Sequence, residues 1–369
     1  MKYYIIAGEA SGDLHGSNLM KALQHVDNNA EFRFWGGDLM QSVGGSLVIH
    51  YKDRSFMGFA EVIFNLRKIL GLIKFCKNDI DNFKPDVIIF IDNSGFNLRI
   101  AKWAKEKNYK THYYISPQVW ASRASRVEKI KRDIDAMYVI LPFEKDFYKK
   151  YNYSVHFVGH PLIDAIADRQ QIDESTFRTT HHLSDKPIIA LLPGSRKQEI
   201  TKMLGVMLSL VDDYKDYQFV IAGAPSQDYN FYKSFINQKN VAFISNKTYD
   251  LLSVSHAALV TSGTATLETA LFKVPQVVCY KANTISYHIA KRIITLKFIS
   301  LVNLIMDREV VTELIQRDLN KKRLKIELEK ILNDEERIRL FIDYYDLEKK
   351  LGGKGASVNA ASLIFQSCK

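Results

Sequence analysis

Short apolar runs recur along the chain and alternate with longer stretches in which apolar residues have helical spacing. Two of the runs, Val87–Ile91 and Ile188–Leu192, are apolar throughout, as expected for strands that helices cover on both faces. The pattern predicts strands at Tyr3–Ala7, Glu31–Trp35, Val87–Asp92, Thr111–Ile115, Ala136–Leu141, His156–Val158, Ile188–Leu192, Gln218–Ala222, Val241–Ile244, Ala257–Thr261 and Gln276–Tyr280. This β-α alternation predicts an α/β fold with parallel sheets.

The alternation occurs twice, which predicts two Rossmann-like domains. The predicted join lies near Gly159–Pro161, so the first domain covers residues 1–160 and the second covers residues 161–339. The length of 369 residues fits two domains, at about 100–200 residues each. Open parallel sheets bind ligands beside the carboxyl ends of their strands, so we expect a ligand site in a cleft between two such sheets.

The charge balance indicates an anionic partner. The chain has 51 Lys and Arg against 41 Asp and Glu, and the net charge of +10 fits nucleic acid, anionic lipid or a phosphorylated ligand. Three isolated cysteines favour a reducing compartment without a cysteine-based zinc site. The amino end lacks the apolar core of a signal peptide, and no run approaches the roughly 20 apolar residues of a membrane span. We therefore expect a cytoplasmic protein.

The segment Gly8–Gly16 follows the first predicted strand and leads into a helix. Its glycine spacing matches neither a dinucleotide-binding fingerprint nor a Walker A loop. It is instead predicted to be a loop that approaches a ligand closely at the carboxyl edge of the sheet, where its polar groups bind sugar hydroxyls or move protons. The candidate residues are Glu9, Ser11, Gly12, Asp13 and His15. The alternative is a tight strand-to-helix turn with Asp13 as the N-cap and His15 exposed.

Asp92 ends a continuously apolar strand and precedes Asn93-Ser94-Gly95. Its carboxylate is predicted to lie at the carboxyl edge of the sheet, where a general base would meet a ligand. An Asx turn or an N-cap for the helix predicted after it explains the position equally well.

Two loops in the second half are candidate anion sites. Gly194, Ser195 and Arg196 follow a buried strand, and a guanidinium there can hold a diphosphate. Ser262, Gly263 and Thr264 follow another strand, and Glu268 comes one turn later, where it could accept hydrogen bonds from a ribose diol. Each segment alone is also explained as a surface turn or as ordinary helix capping. Two such loops in one domain favour a donor site for a nucleotide.

Two Asp-X-Asp sequences, Asp79–Asp81 and Asp133–Asp135, have the form found in metal-dependent sugar-nucleotide transferases. The first lies at a predicted helix end and the second precedes a strand among basic residues, so both are predicted to be solvated faces. Nothing else has the spacing of a hard-cation or zinc site. We expect no metal and no other cofactor.

One segment has the apolar stripe and basic flanks of a helix that lies on a membrane surface. Arg67, Lys68, Lys74 and Lys77 are its basic residues, and anionic lipid is the expected partner. The predicted membrane-facing residues are Phe59, Val62, Ile63, Leu66, Ile69, Leu70 and Ile73. The alternative is a helix that packs this stripe on a sheet. Nucleic acid is not expected, since the aromatic residues have core spacing.

Several motifs together resemble the lipid-A-disaccharide synthase family. They are GEASGD (Gly8–Asp13), KPDVIIFID (Lys84–Asp92), YYISPQVWA (Tyr113–Ala121), LPFEKDFY (Leu141–Tyr148), VGHP (Val158–Pro161), LLPGSRKQEI (Leu191–Ile200) and SGTATLE (Ser262–Glu268). The resemblance covers nearly the whole chain in order. It implies the GT-B fold, with two Rossmann-like domains facing a central cleft and final helices, from about residue 340 to residue 369, crossing back to the first domain.

The resemblance also implies an activity. The family transfers diacylglucosamine from UDP-diacylglucosamine to the 6-hydroxyl of diacylglucosamine 1-phosphate (lipid X), with inversion and without a metal. Its essential carboxylate falls on Asp92, its donor-phosphate arginine on Arg196, and its nucleotide loop on Ser262–Glu268 with Asn303 nearby. Many members have a proline soon after this carboxylate, whereas this chain reads Asp92-Asn93-Ser94-Gly95.

By this resemblance the protein would act on the inner face of the inner membrane of a Gram-negative bacterium, as a peripheral protein. Two other classes stay open at this point. One is a different UDP-sugar enzyme of the same fold, such as a 2-epimerase or the peptidoglycan N-acetylglucosaminyltransferase. The other is a non-enzymatic protein that binds membranes or nucleic acid. The oligomeric state is left open.

Overall fold

The computed structural model describes residues 1–54, 66–122, 124–236, 241–283 and 296–369. The chain divides into two compact units. The first unit comprises Met1–Asp164 and Leu351–Lys369, and the second comprises Ala165–Lys350. The join thus lies four residues after the predicted one, and the chain returns to the first unit at Leu351, whereas the resemblance placed that return at about residue 340.

The first unit is built on a parallel sheet of seven strands, in the order β3-β2-β1-β4-β5-β6-β7. These strands are β1 Lys2–Ala7, β2 Glu31–Gly36, β3 Ser46–His50, β4 Val87–Ile91, β5 Thr111–Tyr114, β6 Ala136–Val139 and β7 His156–Phe157. Its helices are α1 Ala10–Val26, α2 Asp38–Val43, α3 Leu66–Phe83, α4 Ser94–Glu106, α5 Val119–Ser122, α6 Val127–Asp133, α7 Phe143–Lys149, α8 Pro161–Ala167, at the join, and the final helix α17 Ala356–Cys368.

Except at its first residue, Lys2, the inner strand β1 is buried on both faces, which explains the apolar character of Tyr3–Ala7. Tyr4 and Ile6 belong to a core cluster on one face of the sheet. Tyr3, Ile5 and Ala7 belong to a second cluster on the other face. Helices therefore cover both sides of the sheet, and a ligand is expected at the edge formed by the carboxyl ends of the strands.

The second unit has a parallel sheet of six strands, in the order β10-β9-β8-β11-β12-β13. These are β8 Ile188–Leu192, β9 Gln218–Gly223, β10 Val241–Ser245, β11 Ser255–Thr261, β12 Gln276–Tyr280 and β13 Glu313–Ile315. Its helices are α9 Glu174–Thr180, α10 Lys197–Leu208, α11 Tyr229–Ile236, α12 Thr248–Ser253, α13 Thr264–Leu271, α14 Leu301–Met306, α15 Lys321–Leu332 and α16 Asp334–Lys350. Its core contains the apolar residues of β8 and β11.

Several features of the structure differ from the prediction. The edge strands β3 and β13 are absent from the predicted pattern. Strand β4 ends at Ile91, one residue before the predicted end. The predicted loop Gly8–Gly16 is also wrong in extent, because α1 begins at Ala10. Gly12 favours this early start: a Cβ there would lie 3.1 Å from Ala7 Cβ, a tight contact that would require the helix or the strand to shift by a few tenths of an ångström.

Part of the predicted membrane stripe is core. Ile73 is buried in the first core cluster and Ile69 packs against it, so these two residues face the sheet and not a membrane. Leu70 lies on the exposed side of α3. Phe59, Val62 and Ile63 lie outside the described residues, as does the side chain of Leu66. Among the helices described here, none is long and apolar enough to cross a membrane.

The final helix α17 belongs to the first unit. Ala360, Ala361 and Ile364 join the core cluster that contains Tyr3 and Ile5. Asp164 caps this helix, since its carboxylate accepts hydrogen bonds from Gly355 N at 2.6 Å and Ala356 N at 3.0 Å. A negative side chain at a helix amino end satisfies otherwise unpaired NH groups and complements the helix dipole.

We expect Asp164→Ala to lower the free energy of unfolding by about 1–2 kcal/mol, because both NH groups lose their acceptor. Urea unfolding followed by circular dichroism measures this change. Asp168→Ala, which removes an exposed carboxylate just after α8, is the matched control and should change stability little. An unchanged unfolding midpoint for Asp164→Ala would mean that the apolar face of α17 holds it without the cap.

Candidate functional site

Strand order reverses once in each sheet, and the candidate residues lie at these reversals. In the first unit the reversal lies between β1 and β4, and in the second between β8 and β11. Helices on the two sides of such a point leave in opposite directions and open a crevice at the carboxyl ends of the strands. Gly8 and Asp92 follow β1 and β4, while Pro193 and Ser262 follow β8 and β11. Within each unit, the fold therefore brings together two loops that are far apart in sequence.

Asp92 lies directly after β4 in an unusual conformation. Asp92 and Asn93 both have left-handed backbones, with φ of 46° and 43°. Asp and Asn tolerate this region better than other residues, but it remains disfavoured for any residue with a side chain. Burial raises the pKa of Asp92 above its ordinary value, and a hydrogen bond from the Asn93 backbone opposes the rise. Strain and partial burial at a strand end are common at active sites.

The backbone carbonyl of Asp92 has two side-chain partners that sequence reasoning missed. The Tyr113 hydroxyl and Asn97 Nδ2 both donate to it, the latter at 2.8 Å. In the sequence, Tyr113 stands out only as part of the motif YYISPQVWA, and Asn97 only as part of the helix predicted after Asp92. The left-handed turn that brings them onto one carbonyl has no sequence signature.

The loops after β1 and β4 touch each other. A Cβ on Gly8 would lie 2.0 Å from Asn93 Nδ2, so the absence of a side chain at Gly8 is required for this contact. Glu9 and Ser11 are exposed beside it, at the start of α1. These two residues therefore lie at the same sheet edge as Asp92.

Asp13 is not the N-cap of α1, which was the alternative prediction for it, because Glu9 holds that position. Asp13 instead has a structural role. Its carboxylate accepts backbone hydrogen bonds from Gly37 at 2.7 Å, Leu39 at 3.0 Å and Met40 at 3.0 Å. It is buried and ties α1 to the start of α2. With three donors already bound, Asp13 supports the site but is not placed to receive a sugar hydroxyl.

His15 is largely buried and faces a second histidine. Burial lowers the pKa of His15 to about 4. Burial also lowers the pKa of His160 to about 3, with a smaller contribution from His15. Both imidazoles are therefore neutral near pH 7. His15 Nδ1 is buried and has no hydrogen-bond partner among the described residues.

The end of β5 is held by a buried acid. Glu144 accepts hydrogen bonds from the Ser116 hydroxyl and from Leu141 N, the latter at 3.0 Å. Burial raises the pKa of Glu144 to about 7. Ile115, between β5 and Ser116, has φ of 64°, which is rare for a β-branched residue. Glu144 was not singled out from the sequence, since a Glu in a helix first turn is ordinary.

In the second unit, Arg196 lies at the start of α10 and is almost fully exposed. Its guanidinium lies 3.5 Å from Glu199 Oε1, a surface ion pair that leaves most of its donors in solvent. Gly194 has φ of 107°, and a Cβ there would lie 3.0 Å from Glu199 and 3.6 Å from Thr261. The Gly194–Arg196 loop thus lies beside the end of β11.

The loop after β11 leads into α13, whose amino end follows Gly263. The Ser262 hydroxyl donates to Ile299 O at 2.8 Å, while Gly263 and Thr264 are exposed. Glu268 lies one turn into α13 and accepts a hydrogen bond from the Tyr249 hydroxyl at 2.8 Å. Burial raises the pKa of Glu268, and the bond from Tyr249 opposes this rise. First-turn NH groups beside a guanidinium loop form a suitable anion site.

Asn303 is fully buried in α14. Its Nδ2 donates to Val311 O at 2.8 Å and to Glu313 Oε1 at 2.9 Å. Its Oδ1 accepts from the backbone NH groups of Val310 at 2.8 Å and Val311 at 3.0 Å. All the ordinary hydrogen bonds of an amide are thus made within the unit. Asn303 holds the 299–313 region together and is not placed to bind the donor directly.

The Asp-X-Asp sequences are not the solvated faces predicted for them. Asp79 is buried and accepts hydrogen bonds from the Tyr4 hydroxyl at 2.7 Å and from Arg33. Asp133, also buried, pairs with Arg132, and Asp135 accepts from Thr111 N at 3.0 Å. These aspartates stabilise the framework. Within the described ranges, no group of three or more His, Cys, Asp or Glu side chains is arranged to hold a metal ion.

Comparison with known proteins gives the relationship. The family model described as lipid-A-disaccharide synthetase matches residues 3–364. The lipid-A-disaccharide synthase of Syntrophus aciditrophicus is 39% identical over 373 residues, which cover 99% of this chain and 97% of that protein.

Two solved structures show the fold. Staphylococcus aureus MnaA with UDP matches with a TM-score of 0.68 at 15% identity, covering 100% of this chain and 97% of that chain. The UDP-GlcNAc 2-epimerase of Neisseria meningitidis matches with a TM-score of 0.65 at 12% identity, covering 100% of this chain and 99% of that chain. The predicted α/β fold of GT-B type is confirmed. Because the family model and the Syntrophus relative both match almost from end to end, the chain belongs to the lipid-A-disaccharide synthase family.

Proposed function

We propose that this chain transfers 2,3-diacylglucosamine from UDP to the 6-hydroxyl of 2,3-diacylglucosamine 1-phosphate. The products are UDP and the β-1′,6-linked disaccharide 1-phosphate of lipid A. The family relationship supports this reaction. The observation that carries its mechanism is the partly buried carboxylate of Asp92, which lies on a left-handed backbone at the strand reversal of the first unit. In this proposal the first unit takes the acceptor and the second takes the UDP-sugar.

Asp92 is the general base. It removes the proton of the acceptor 6-hydroxyl while that oxygen forms a bond to the anomeric carbon of the donor. The bond from that carbon to the diphosphate breaks on the opposite face, and its electron pair leaves with UDP, so the anomeric centre inverts. A pKa raised by burial suits the role, because a stronger base accepts the proton more readily.

Arg196 and the amino end of α13 bind the donor diphosphate. The exposed guanidinium can form two parallel hydrogen bonds to phosphate oxygens, and the NH groups after Gly263 add further donors. As the bond to the sugar breaks, these groups stabilise the charge that develops on UDP. Glu268 accepts hydrogen bonds from the ribose hydroxyls, and Tyr249 holds one of its oxygens.

The remaining candidate residues bind the acceptor or hold the backbone around the two sites. Glu9 and Ser11 offer an exposed carboxylate and hydroxyl beside Asp92. His15 acts as a neutral imidazole, since its pKa lies near 4, and it offers one NH donor and one acceptor nitrogen. Asp13 and Asn303 position the backbone around the two sites.

The acyl chains of both substrates call for contact with a membrane surface. Leu70 and Phe75 on α3 are 55% and 47% exposed. Arg67, Lys68 and Lys74 are exposed on the same helix. Exposed apolar groups beside basic ones suit the interface of an anionic bilayer. We assign the peripheral membrane contact to this part of α3.

The direct test is incubation of the protein with UDP-diacylglucosamine and diacylglucosamine 1-phosphate, followed by mass analysis. The expected product is the acylated disaccharide 1-phosphate, in equal yield with and without EDTA. Incubation with UDP-GlcNAc alone tests for a 2-epimerase. Formation of the 2-epimer, without disaccharide in the first incubation, would contradict the proposal.

Asp92→Asn should lower turnover at least about 100-fold while leaving UDP affinity unchanged, since it removes basicity but not size. Asp146→Asn, which removes an exposed carboxylate from α7, is the control. For the unaltered protein, kcat/KM should fall as the pH is lowered, because only the ionised form of the base accepts the proton. Since burial raises the pKa of Asp92, this fall should occur at a higher pH than for an ordinary Asp. Near-normal turnover of Asp92→Asn would exclude the assignment.

Arg196→Ala and Glu268→Ala should each weaken UDP binding by about tenfold to 100-fold, the range expected for losing hydrogen bonds to a charged group. Isothermal titration calorimetry with UDP measures the change. Lys233→Ala removes another exposed charge from the second unit, on α11, and should leave the affinity unchanged. Unchanged affinity in both test variants would place the donor site elsewhere.

The membrane assignment predicts that Leu70→Ser/Phe75→Ser lowers binding to phosphatidylglycerol-containing liposomes by about tenfold or more, since two apolar side chains lose burial in the interface. The apparent KM for the lipid substrates should rise while UDP affinity stays the same. Ile338→Ser/Ile342→Ser is the matched control, because these residues are 58% and 59% exposed on α16. Equal loss of liposome binding in the two double variants would rule out a specific role for α3.

A further inference from the structure

The conformation of Asp92 needs an explanation that its own side chain does not supply. Asp92 and Asn93 are consecutive left-handed residues, with φ of 46° and 43°. A residue with a side chain stays in this region only when surrounding contacts hold it there. Apart from the hydrogen bond from the Asn93 backbone to the carboxylate, the contacts at this point involve the backbone carbonyl of Asp92.

Asn97 supplies one of these contacts from the first turn of α4. It is fully buried, and its Nδ2 lies 2.8 Å from Asp92 O, 3.1 Å from Ile91 O and 3.4 Å from Ile6 O. Three carbonyl oxygens around one amide nitrogen require the NH₂ group and would repel an oxygen in its place. Ile6 and Ile91 belong to β1 and β4, so the amide bridges the two strands at the reversal of strand order.

Tyr113 supplies the second contact from the neighbouring strand β5. Its hydroxyl donates to Asp92 O, and its ring is fully buried in the core beside Phe90. A rigid aromatic ring in a close-packed core fixes the position of the hydroxyl at its tip. The carbonyl of Asp92 is thus held from β5 and from α4 together, and neither bond uses a carboxylate oxygen.

We propose that Tyr113 and Asn97 are positioning residues for the transfer reaction. Their hydrogen bonds to the Asp92 carbonyl hold the general base in its left-handed conformation. This inference rests on the proposed function, in which Asp92 is that base. The two residues hold the backbone by its carbonyl, so neither of them occupies a carboxylate oxygen that the acceptor hydroxyl needs. Pre-organisation of this kind affects the chemical step more than substrate binding.

The first test is Tyr113→Phe, which removes only the hydroxyl. We expect kcat for disaccharide formation to fall about tenfold, the scale of one lost hydrogen bond, with KM for both substrates and UDP affinity within about twofold of normal. Tyr114→Phe is the matched control. Tyr114 is the next residue on β5, is equally buried, and its hydroxyl contacts Ser357 Oγ at 3.3 Å. An equal loss of kcat in the control, or a normal kcat in Tyr113→Phe, would overturn the inference.

The second test combines Tyr113→Phe with Asp92→Asn. If Tyr113 acts through Asp92, the double variant should turn over at the rate of Asp92→Asn alone, within about twofold. A further tenfold loss would show an independent effect on the fold and would overturn the inference. Should Asp92→Asn alone keep full activity, the proposed base is wrong. Loss of activity in Asp92→Asn with normal kcat in Tyr113→Phe would contradict only the positioning role.

Asn97→Asp provides an independent check, because it replaces the NH₂ donor with an oxygen of similar size. A fall in kcat at least as large as that of Tyr113→Phe is expected, with UDP affinity unchanged. Circular dichroism shows whether this variant folds, and if it does not, the Tyr113 variants decide the matter. A folded Asn97→Asp variant with normal kcat would contradict the role of Asn97.

Discussion

Reversal of strand order is the constraint on which both candidate sites depend. A right-handed connection between parallel strands places successive helices on one face of the sheet, and a reversal moves them to the other face. At β1/β4 and at β8/β11 the loops on the two sides of the reversal therefore lie next to each other. The contact of Gly8 with Asn93 and the approach of Gly194 to Thr261 both follow from this geometry. At Gly8 this contact leaves no room for a side chain, and at Gly194 the left-handed backbone, with φ of 107°, favours glycine.

The buried strands of this fold could be predicted from the sequence, whereas two of its four edge strands, β3 and β13, could not. Central strands such as β4 and β8 are apolar throughout, because helices cover both faces. Strand β3 is half-buried and follows two glycines, while β13 has only three residues, so neither carries a clear pattern. The early start of α1 was also missed, since it depends on a close contact between Gly12 and Ala7. Sequence patterns report burial well and tertiary contacts poorly.

The candidate site shows the same division. The positions of Asp92, Arg196 and Glu268 at strand or helix ends could be predicted, since loops after buried strands are visible in the sequence. It could not be predicted whether a polar residue in such a loop binds a ligand or another part of the chain. Asp13 and Asn303 use their hydrogen bonds within the fold, and so does Asp79. The stripe containing Ile73 likewise had two possible partners, a sheet or a membrane, and periodicity is the same for both.

The return of the chain at Leu351 has a consequence for biosynthesis. The first unit is interrupted by Ala165–Lys350, and its core is completed by Ala360, Ala361 and Ile364 of α17. At a synthesis rate of about 5–20 residues per second, the ribosome needs roughly 10–40 s to make the intervening segment. During that time the nascent first unit exposes the apolar surface that α17 later covers. The second unit, whose residues are contiguous, can finish folding before the unit that was begun earlier.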